Sequence, residues 1–422
     1  MSGGAGGKQF PPALRFAAVV LAAAMCLAGC APERTATRSE PAAPAAPAPL
    51  TQLGPWLRAE AAADRFSGVV IVSRGDRVLH RAAYGLADRE RGLPLTPEHR
   101  FRLASLSKQF TAAAVLQLQD RGVLTVDDPL CRWVQPCPPA WRAITLHHLL
   151  SHQSGVPNLM DRRDWSDLRW RDWTLAELAA DSARLPLDFP PGTRVEYSNA
   201  GYNLLGLVVE NAAGRPFAEH LRVALLEPLG LRDTGWDDDT VALATGYART
   251  AEGLGPRRRS GAQVVFAAGA LYASADDMLR WGRALHGGAG VTRRVLSDRS
   301  YAQMIAADPA RHRSETRWGL AQTWGYGLFV GSPGARMIPA FSDTQIFHSG
   351  SWSGFRNLMT WQPQADVHVV VLSNTYDGET PLSVIAQRAM AEALGRSIPI
   401  DRMPPVRAER QPTAPPSAAA GR

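Results

Sequence analysis

The chain has 422 residues, 45% of them hydrophobic, and a formal net charge of +7 at pH 7. This size favours a large buried core in one unit of two lobes rather than in independent domains. Loss of Lys8 and Arg15 with an N-terminal leader leaves a charge of +5 (7 − 2), which is too mild in an exported protein to indicate nucleic-acid binding. Anionic surfaces of the cell envelope suit this small basic excess better.

The first 29 residues have the features of a secretory signal peptide. Basic residues precede an apolar run over 16–29, which has the length of an h-region and is too short to span a bilayer comfortably. The run ends in Leu-Ala-Gly-Cys at 27–30, which resembles the lipobox of bacterial lipoproteins. We therefore expect Cys30 to carry a lipid that anchors the protein to a membrane. An ordinary secreted protein and an uncleaved anchor are the alternatives.

Low-complexity segments flank the part of the chain that is expected to fold. Residues 30–50 are rich in proline and alanine and predict an extended tether, and residues 403–422 predict a disordered tail. The folded domain is therefore expected at 51–402. Ala31 follows the lipobox where an aspartate could stand, which by resemblance to other lipoproteins indicates the outer membrane, facing the periplasm.

Two of the four cysteines remain after processing. Cys26 leaves with the signal peptide and Cys30 carries the lipid, so Cys131 and Cys137 are left in a compartment that permits disulfides. We expect a disulfide between them, with two free buried thiols as the alternative. Two cysteines without a neighbouring histidine do not predict a metal site.

The folded part begins with two β-rich runs, 66–73 and 78–84, joined by an Arg-Gly-Asp turn that predicts a hairpin. Helical patterns follow, and strand patterns return later in the chain. The predicted helices are 105–120, 146–150, 175–184, 201–213, 276–285 and 381–394, and the later strands are 324–330, 345–348, 355–361 and 367–373. This order predicts an α+β fold in which an antiparallel sheet from both chain ends is flanked by helices and an all-α lobe is inserted at about 110–290.

The most informative helix begins at Ser105. Its spacing to Lys108 places both side chains on one face of the first turn, where an amine can contact the serine hydroxyl. A helix N-terminus also offers free N–H groups to an oxyanion, and a desolvated lysine can activate a serine nucleophile. The alternative is a helix cap followed by a solvated lysine.

Two further motifs add polar groups suited to the same chemistry. Tyr197-Ser-Asn199 follows a Pro-Pro-Gly turn and places a phenol and an amide two residues apart. His348-Ser-Gly350 lies on a predicted strand and leads into Ser351. Taken singly, the tyrosine suits a packing residue and the histidine a hydrogen-bonded strand residue.

In this order the motifs resemble the serine β-lactamase and penicillin-binding-protein superfamily, in its class C β-lactamase-like branch. That branch includes DD-carboxypeptidases, D-aminopeptidases and esterases, and the resemblance covers about 55–398. Its fold agrees with the predicted sheet and insert, with the active site in the cleft between the lobes. The resemblance rests on three motifs and two supporting segments: Ser105-Leu-Ser-Lys108, Tyr197-Ser-Asn199, His348-Ser-Gly350, 149–155 and 268–272.

The resemblance implies a role for each residue of the motifs. Ser105 would attack the substrate carbonyl and hold the acyl group, and Lys108 would keep its hydroxyl deprotonatable. Tyr197 would relay a proton to the leaving group and later activate water; either Lys108 or Tyr197 could be the first base. Asn199 would bind the amide side of the substrate. The N–H groups of Ser105 and Ser351 would form the oxyanion hole.

One residue departs from the β-lactamase pattern. His348 stands where β-lactamases have a lysine that supplies a permanent charge for the substrate carboxylate, whereas an unperturbed histidine titrates near pH 6.5. We therefore expect attraction for a carboxylate to be lost across about pH 6 to 8. Efficient β-lactamase activity is not expected, while the histidine form is familiar in DD-peptidases and esterases of the branch.

Three other groups of residues have both a structural and a functional interpretation. His148 and His152 have the spacing of a helical metal pair, but no acidic ligand follows, so a structural role is favoured. Three tryptophans at 165, 170 and 173 either pack within the lobe or rim the cleft, where they would contact a glycan or an acyl chain. The three arginines at 257–259 favour a solvated loop over a binding patch.

The sequence thus predicts a lipid-anchored serine hydrolase of the cell envelope that cleaves an amide or ester through an acyl-enzyme. Its expected substrate is a small molecule, a peptide or an ester, with peptidoglycan stem peptides among the candidates, and neither a metal nor another cofactor is expected. A true β-lactamase is one alternative. A penicillin-binding sensor or cell-wall-binding module that acylates without turnover is another.

Overall fold

The structure is a computed structural model that describes residues 49–238, 240–259, 261–306, 313–315, 321–333, 337 and 341–398. The predicted signal peptide, the lipidation site Cys30, most of the tether and the C-terminal tail lie outside the described residues. Within the described part of the chain, no helix has both the length and the apolar character needed to cross a membrane.

The described residues form one large antiparallel sheet and three small ones. The large sheet has eight strands in the order β10-β11-β12-β13-β14-β15-β1-β2, so both chain ends contribute to it, as predicted. In chain order the strands are β1 (Gly68–Arg74), β2 (Arg77–Tyr84), β3 (Leu86–Asp88), β4 (Leu93–Pro94), β5 (Arg100–Arg102), β6 (Gly235–Trp236), β7 (Tyr247–Thr250), β8 (Gly253–Pro256), β9 (Leu271–Ser274), β10 (Arg313–Glu315), β11 (Ala321–Trp324), β12 (Phe329–Gly331), β13 (Gln345–Trp352), β14 (Phe355–Gln362) and β15 (Val367–Ser373).

The centre of the large sheet is buried on both faces. All seven residues of β15 and six of the seven residues of β1 are buried, which is typical of unbroken β-branched runs covered from both sides. Ile71 pairs with Val370 and belongs to one hydrophobic core, whereas Val70 pairs with Val371 and belongs to the other. The strand alternation therefore supplies two cores at once.

Helices cover both faces of this sheet and fill the second lobe. α1 and α12 share the core of one face, and α10 shares the core of the other, which also extends through the second lobe. The helices are α1 (Leu53–Ala62), α2 (Lys108–Asp120), α3 (Leu146–Leu150), α4 (Trp165–Leu168), α5 (Leu175–Ser182), α6 (Asn199–Ala213), α7 (Phe217–Leu221), α8 (Glu227–Leu229), α9 (Phe266–Gly269), α10 (Ala275–His286), α11 (Asp298–Ile305) and α12 (Leu382–Ala393).

The α+β class is confirmed, but the inserted region at about 110–290 is not all helical. It contains β6 to β9, of which β6 and β9 join β5 in a three-stranded sheet and β7 pairs with β8. These strands are two to four residues long, too short to show an alternating pattern in the sequence. Near the end of the predicted insert, α10 packs on the large sheet.

The structure differs from the predicted elements in one strand and in several helices, and it joins one pair of cysteine side chains. The predicted strand at 324–330 is two strands, β11 and β12, because Gly327 has φ of +69° in a turn that Gly325 N closes on the carbonyl of Leu328 at 3.0 Å. The helices that were not predicted are α1, α4, α7, α8, α9 and α11. Cys131 and Cys137 are linked by a disulfide, with Cα atoms 5.4 Å apart.

Candidate active site

Ser105 lies in a strained turn at the start of α2. The turn is a 3-10 helix, Ala104–Ser107, which leads directly into α2 at Lys108. Ala104, just before the serine, has φ of +51°, a left-handed conformation that is unfavourable for a residue with a Cβ. The N–H of Ser105 has no hydrogen-bond acceptor among the described residues. The turn therefore presents both the hydroxyl and a free N–H of Ser105.

Strand β13 runs against this turn because Gly350 has no side chain. A Cβ at this position would lie 2.2 Å from Leu103 O and 3.1 Å from Ser105 N. Asn357 of β14 holds the strand pair to the turn by donating from Nδ2 to a backbone carbonyl just before it, at 2.8 Å. Ser351 follows Gly350, so its N–H is held near Ser105, as an oxyanion hole of two amides requires.

The start of α6 brings Tyr197 to the serine. Ser198 caps the helix, since its side chain accepts a hydrogen bond from Gly201 N at 3.1 Å. Tyr197 stands just outside the cap, and its Oη lies 2.7 Å from Ser105 Oγ. Burial raises the pKa of Tyr197, although the contact with Ser105 opposes this effect. The side chain is therefore a neutral phenol near pH 7 and can donate a proton to a departing group.

Lys108 is fully buried, and burial lowers its pKa well below the usual lysine value. Its Nζ lies 2.8 Å from Asn199 Oδ1, 2.9 Å from Ala268 O and 3.2 Å from Ser105 Oγ. Amide and carbonyl oxygens only accept, so the two N–H bonds of a neutral amine are used on Asn199 and Ala268. The nitrogen lone pair is then left for the hydroxyl proton of Ser105.

Asn199 lies beside Lys108 inside the site. It is the first residue of α6, it is 3% exposed, and its Oδ1 accepts from Lys108. Its Nδ2 lies 3.1 Å from Asn158 Oδ1 and 3.2 Å from Met160 Sδ, so its donors are already engaged inside the protein. In this arrangement Asn199 positions Lys108, and its contact with the amide side of a substrate stays a prediction.

His348 forms a buried wall of the site on β13. It is 2% exposed and stacks on Phe329, with ring centres 4.9 Å apart. Burial, and then the nearby Lys108, lower the pKa of His348 to about 3. The ring is therefore neutral, and because Nδ1 lies 2.6 Å from the carbonyl oxygen of Ser349, Nδ1 carries the proton. Its Nε2 is an acceptor without a partner among the described residues.

This environment corrects the predicted titration of His348. An exposed histidine would change charge across about pH 6 to 8, as expected from the sequence. The buried ring is already neutral in that range, because its pKa of about 3 lies below it.

His152 brackets Tyr197, a role that the sequence did not predict. Its carbonyl oxygen accepts from Glu196 N at 2.9 Å and its Nδ1 accepts from Ser198 N at 3.2 Å, so both neighbours of Tyr197 are held. The ring centres of His152 and Tyr197 lie 4.7 Å apart. His152 has φ of +59°, which turns its backbone and ring towards the same segment. In the sequence, only the family resemblance indicated a role for the 149–155 segment.

His148 and His152, which have the spacing of a helical metal pair, have structural roles in the fold. α3 ends at Leu150, so the two histidines do not share a helical face. His148 closes a capping box, in which Thr145 N donates to His148 Nδ1 at 3.2 Å. No group of histidine, cysteine, aspartate and glutamate in the described part of the chain could hold a metal ion.

The three tryptophans divide between packing and the rim. Trp173 is buried, with 7% exposure, and donates from Nε1 to Leu168 O at 3.0 Å. Trp165 contacts Trp352 at the end of β13, with ring centres 5.9 Å apart, and Trp170 is 43% exposed. Packing is therefore the role of Trp173, whereas Trp165 lies against the end of β13 and Trp170 is exposed.

Comparison with known proteins places the similarity in the folded part of the chain. The sequence profile of the family Beta-lactamase matches residues 56–394. Esterase EstB from Burkholderia gladioli is 33% identical over 365 residues, which covers 76% of this chain and 90% of the esterase. The octameric penicillin-binding protein homologue from Pyrococcus abyssi has a TM-score of 0.69 at 26% identity, covering 82% of this chain and 77% of that one. EstCE1, a hydrolase with promiscuous acyltransferase activity, has a TM-score of 0.67 at 26% identity, covering 80% and 97%.

Proposed function

The chain belongs to the beta-lactamase family and is a serine hydrolase of amides or esters, and within this class we propose that it is an esterase acting through an acyl-enzyme on Ser105. Family membership confirms the resemblance and the fold predicted from the motifs. The similarity to an esterase over 90% of that protein's length supports the proposal.

The neutral state of His348 is the observation that carries the choice of substrate. In β-lactamases, by the resemblance, a lysine at this position supplies a fixed positive charge for a carboxylate. His348 is buried and has a pKa of about 3, so it offers no cation near pH 7. A penicillin or a peptide ending in D-alanine carries a carboxylate, whereas a simple ester does not. The neutral ring of His348 therefore favours a substrate that places an uncharged group at the His348 end of the cleft.

The proposed reaction uses the contacts around Ser105. The amine of Lys108 takes the hydroxyl proton as Ser105 Oγ forms its bond to the ester carbonyl carbon. The negative charge on the carbonyl oxygen is stabilised by the N–H groups of Ser105 and Ser351. When the C–O bond to the alcohol breaks, Tyr197 gives its proton to the alkoxide and regains one from the Lys108 ammonium. Water then adds to the acyl-enzyme, and the same groups return the proton to Ser105.

A substrate comparison on one preparation tests this function. The substrates are p-nitrophenyl butyrate, benzylpenicillin and a peptide ending in D-alanyl-D-alanine, with Ser105→Ala as the blank. We expect the highest kcat/KM for the ester, and a flat ratio of peptide to ester between about pH 5.5 and 8.5, because His348 does not change charge there. His348→Lys should raise the rate of penicillin acylation.

Three results would redirect the proposal. A peptide or penicillin turned over faster than the ester would favour the carboxypeptidase or the β-lactamase. A ratio that falls as the pH rises from about 6 to 8 would restore a cationic role for His348. A burst of acylation without turnover on every substrate would favour the sensor.

The location of the enzyme is proposed on the sequence alone. The Leu-Ala-Gly-Cys segment at 27–30 and the proline-rich tether that follows support a lipid on Cys30 and a place in the cell envelope. An anchored esterase there would meet exported small molecules. Peptidoglycan stem peptides are less suited to the His348 end of the cleft because they end in a carboxylate.

A further inference from the structure

The alternation of β13 places different side chains on the two sides of the nucleophile. His348, Gly350 and Trp352 point to the same face of the strand, and Gly350 is the residue that meets the turn of Ser105. Residues two apart in a strand are roughly 7 Å apart. His348 therefore lies on one side of Ser105, and Trp352 lies at a similar distance on the other side.

An aromatic cluster surrounds a guanidinium group at the Trp352 end. The Arg169 guanidinium carbon lies 5.5 Å from the ring centre of Trp352, 5.3 Å from that of Trp170 and 6.0 Å from that of Trp165. Trp352 is 5% exposed, and its Nε1 has no hydrogen-bond partner among the described residues. Aromatic faces hold a guanidinium in place without neutralising its charge.

The charge at this end is not balanced by a carboxylate. Among the described residues, no ion pair is formed by Arg169 or Arg257, and Arg169 Nε is buried without a partner. By contrast, the neighbouring Arg162 and Arg259 are each paired with an aspartate. Burial, and then the positive charge of Arg257, lower the pKa of Arg169. A guanidinium stays protonated even so, and the site keeps an excess of positive charge.

The arginine segment 257–259 is an exposed loop, as expected from the sequence, and its backbone is held at two points. Arg257 N donates to Gly246 O at 2.8 Å, and Arg258 O accepts from Ser353 Oγ at 3.0 Å. The Arg258 guanidinium lies 4.4 Å from the ring centre of Trp170. The segment is therefore fixed beside the end of β13.

A cavity of about 160 Å³ opens at the same place, at the tip of the hairpin between β13 and β14. Arg257 and Ser353 are among its lining residues, and Ser353 directly follows Trp352. Arg257 thus stands beside space that a substrate group could enter, whereas Arg169, Trp170 and Trp352 are not among the lining residues.

We propose that this end of the cleft, formed by Trp352, Trp170, Arg169 and Arg257, binds an anionic group of the ester substrate. The group is a carboxylate, sulfonate or phosphate carried at the end of the substrate that lies opposite to His348. The inference deepens the proposed esterase function and rests on it. Guanidinium groups bind such anions through charge-assisted hydrogen bonds, and the tryptophan rings would cover the intervening carbon chain.

Matched esters test the proposal. p-Nitrophenyl hydrogen adipate is compared with p-nitrophenyl hexanoate, which places a charge on the acyl side only. 4-Sulfophenyl butyrate is compared with phenyl butyrate, which places it on the alcohol side. For one of the pairs we expect Arg169→Gln to lower the charged-to-neutral ratio of kcat/KM by about tenfold, or about 1.4 kcal/mol. Arg163→Gln, which changes an exposed arginine on the same segment, should leave all rates unchanged.

A binding measurement separates this proposal from the esterase function. Isothermal titration of monomethyl adipate and methyl hexanoate into Ser105→Ala should give tighter binding of the anion, and adding Arg169→Gln should weaken it by about tenfold. Such binding without hydrolysis of any ester would retain the anion site and refute the esterase. Unchanged ratios for both ester pairs, with equal binding of the two titrants, would overturn the anion site.

Discussion

Lys108 and Lys8 are the only lysines in the sequence, so the titration of the catalytic lysine can be observed directly. Burial lowers the pKa of Lys108, and the amine form is the one that accepts the proton of Ser105. We expect kcat/KM for a neutral ester to rise with pH through this pKa and to be lost as the pH falls below it. NMR of protein labelled with 13C-lysine should show one lysine titrating well below about 10.4, the unperturbed value.

Lys108→Met is the control for that measurement, since it should remove the shifted signal and most of the activity, roughly 100-fold or more. In the wild-type protein, the amine of Lys108 binds its proton more tightly in the unfolded chain than in the folded state. The free energy of unfolding should therefore fall as the pH drops from about 10.4 towards the pKa of the buried amine. A Lys108 signal titrating near the unperturbed value would contradict the neutral-amine mechanism.

His152 offers a second test at the level of one residue, because its proposed role is to position Tyr197. Asn tolerates the left-handed conformation of His152, and its Oδ1 can accept from Ser198 N in place of Nδ1. We expect His152→Leu to lower kcat by about 10- to 100-fold with little change in KM, and His152→Asn to restore much of the loss. Steady-state kinetics and unfolding curves measure both effects.

The two variants separate positioning from simple destabilisation. If His152→Asn and His152→Leu were equally stable and equally active, the hydrogen bond to Ser198 N would have no part in catalysis. Loss of activity that follows only the loss of folded protein would likewise reduce His152 to a packing residue.

At the scale of the elements, the contact between β13 and the turn of Ser105 is the feature that completes the site. In Gly350→Ala the new Cβ would approach Leu103 O to 2.2 Å, so strand and turn must separate. We expect kcat/KM to fall by about 100-fold or more, because the Ser351 N–H leaves the oxyanion hole. Gly331→Ala on the neighbouring strand β12 is the matched control, since a Cβ there meets nothing within 4 Å. Equal activity of the two variants would mean that this contact does not position the oxyanion hole.

The elements that the sequence predicted best are those whose burial pattern is regular. β15 and α3 lie where expected, because an unbroken apolar run and a capping threonine mark them. The strand predicted at 324–330 failed because two glycines allow a turn within an apolar run. β6 and β9 were missed because their pairing depends on partners distant in the sequence, whereas β7 and β8 are adjacent in the chain but only four residues long.

Prediction of the active site from the sequence is limited in the same way. The motifs identified Ser105, Lys108 and Tyr197, whose side chains meet in the structure. The Ala268 carbonyl that accepts from Lys108 leaves no signal in the sequence, because any residue type supplies a carbonyl. The pKa of His348 was also unpredictable, since it depends on burial against Phe329 and on the distance to Lys108.

At the scale of the whole molecule, the cleft joins three segments that are far apart in the chain. Ser105 comes from the turn before α2, Tyr197 from the start of α6 and His348 from a strand of the large sheet. The strand that carries His348 contributes Ile346 and Trp352 to the core that extends through the second lobe. The catalytic groups of this enzyme therefore depend on the docking of the lobe against the sheet.

The predicted anchor also belongs to this scale. If Cys30 carries a lipid, Cys30→Ser should move the full-length protein from the membrane fraction to the soluble fraction, with esterase activity per folded molecule unchanged. Cell fractionation with mass spectrometry of the N-terminal peptide measures this. A protein that stays in the membrane fraction with unaltered mobility after the substitution would refute the lipobox interpretation.

The central claim is that ester cleavage passes through a covalent bond to Ser105. The most direct test is intact and peptide mass spectrometry after rapid acid quenching of the enzyme mixed with p-nitrophenyl butyrate. We predict a butyryl adduct on the peptide that contains Ser105 in the wild-type protein, and none in Ser105→Ala. An adduct on another residue, or full ester turnover by Ser105→Ala, would contradict the account.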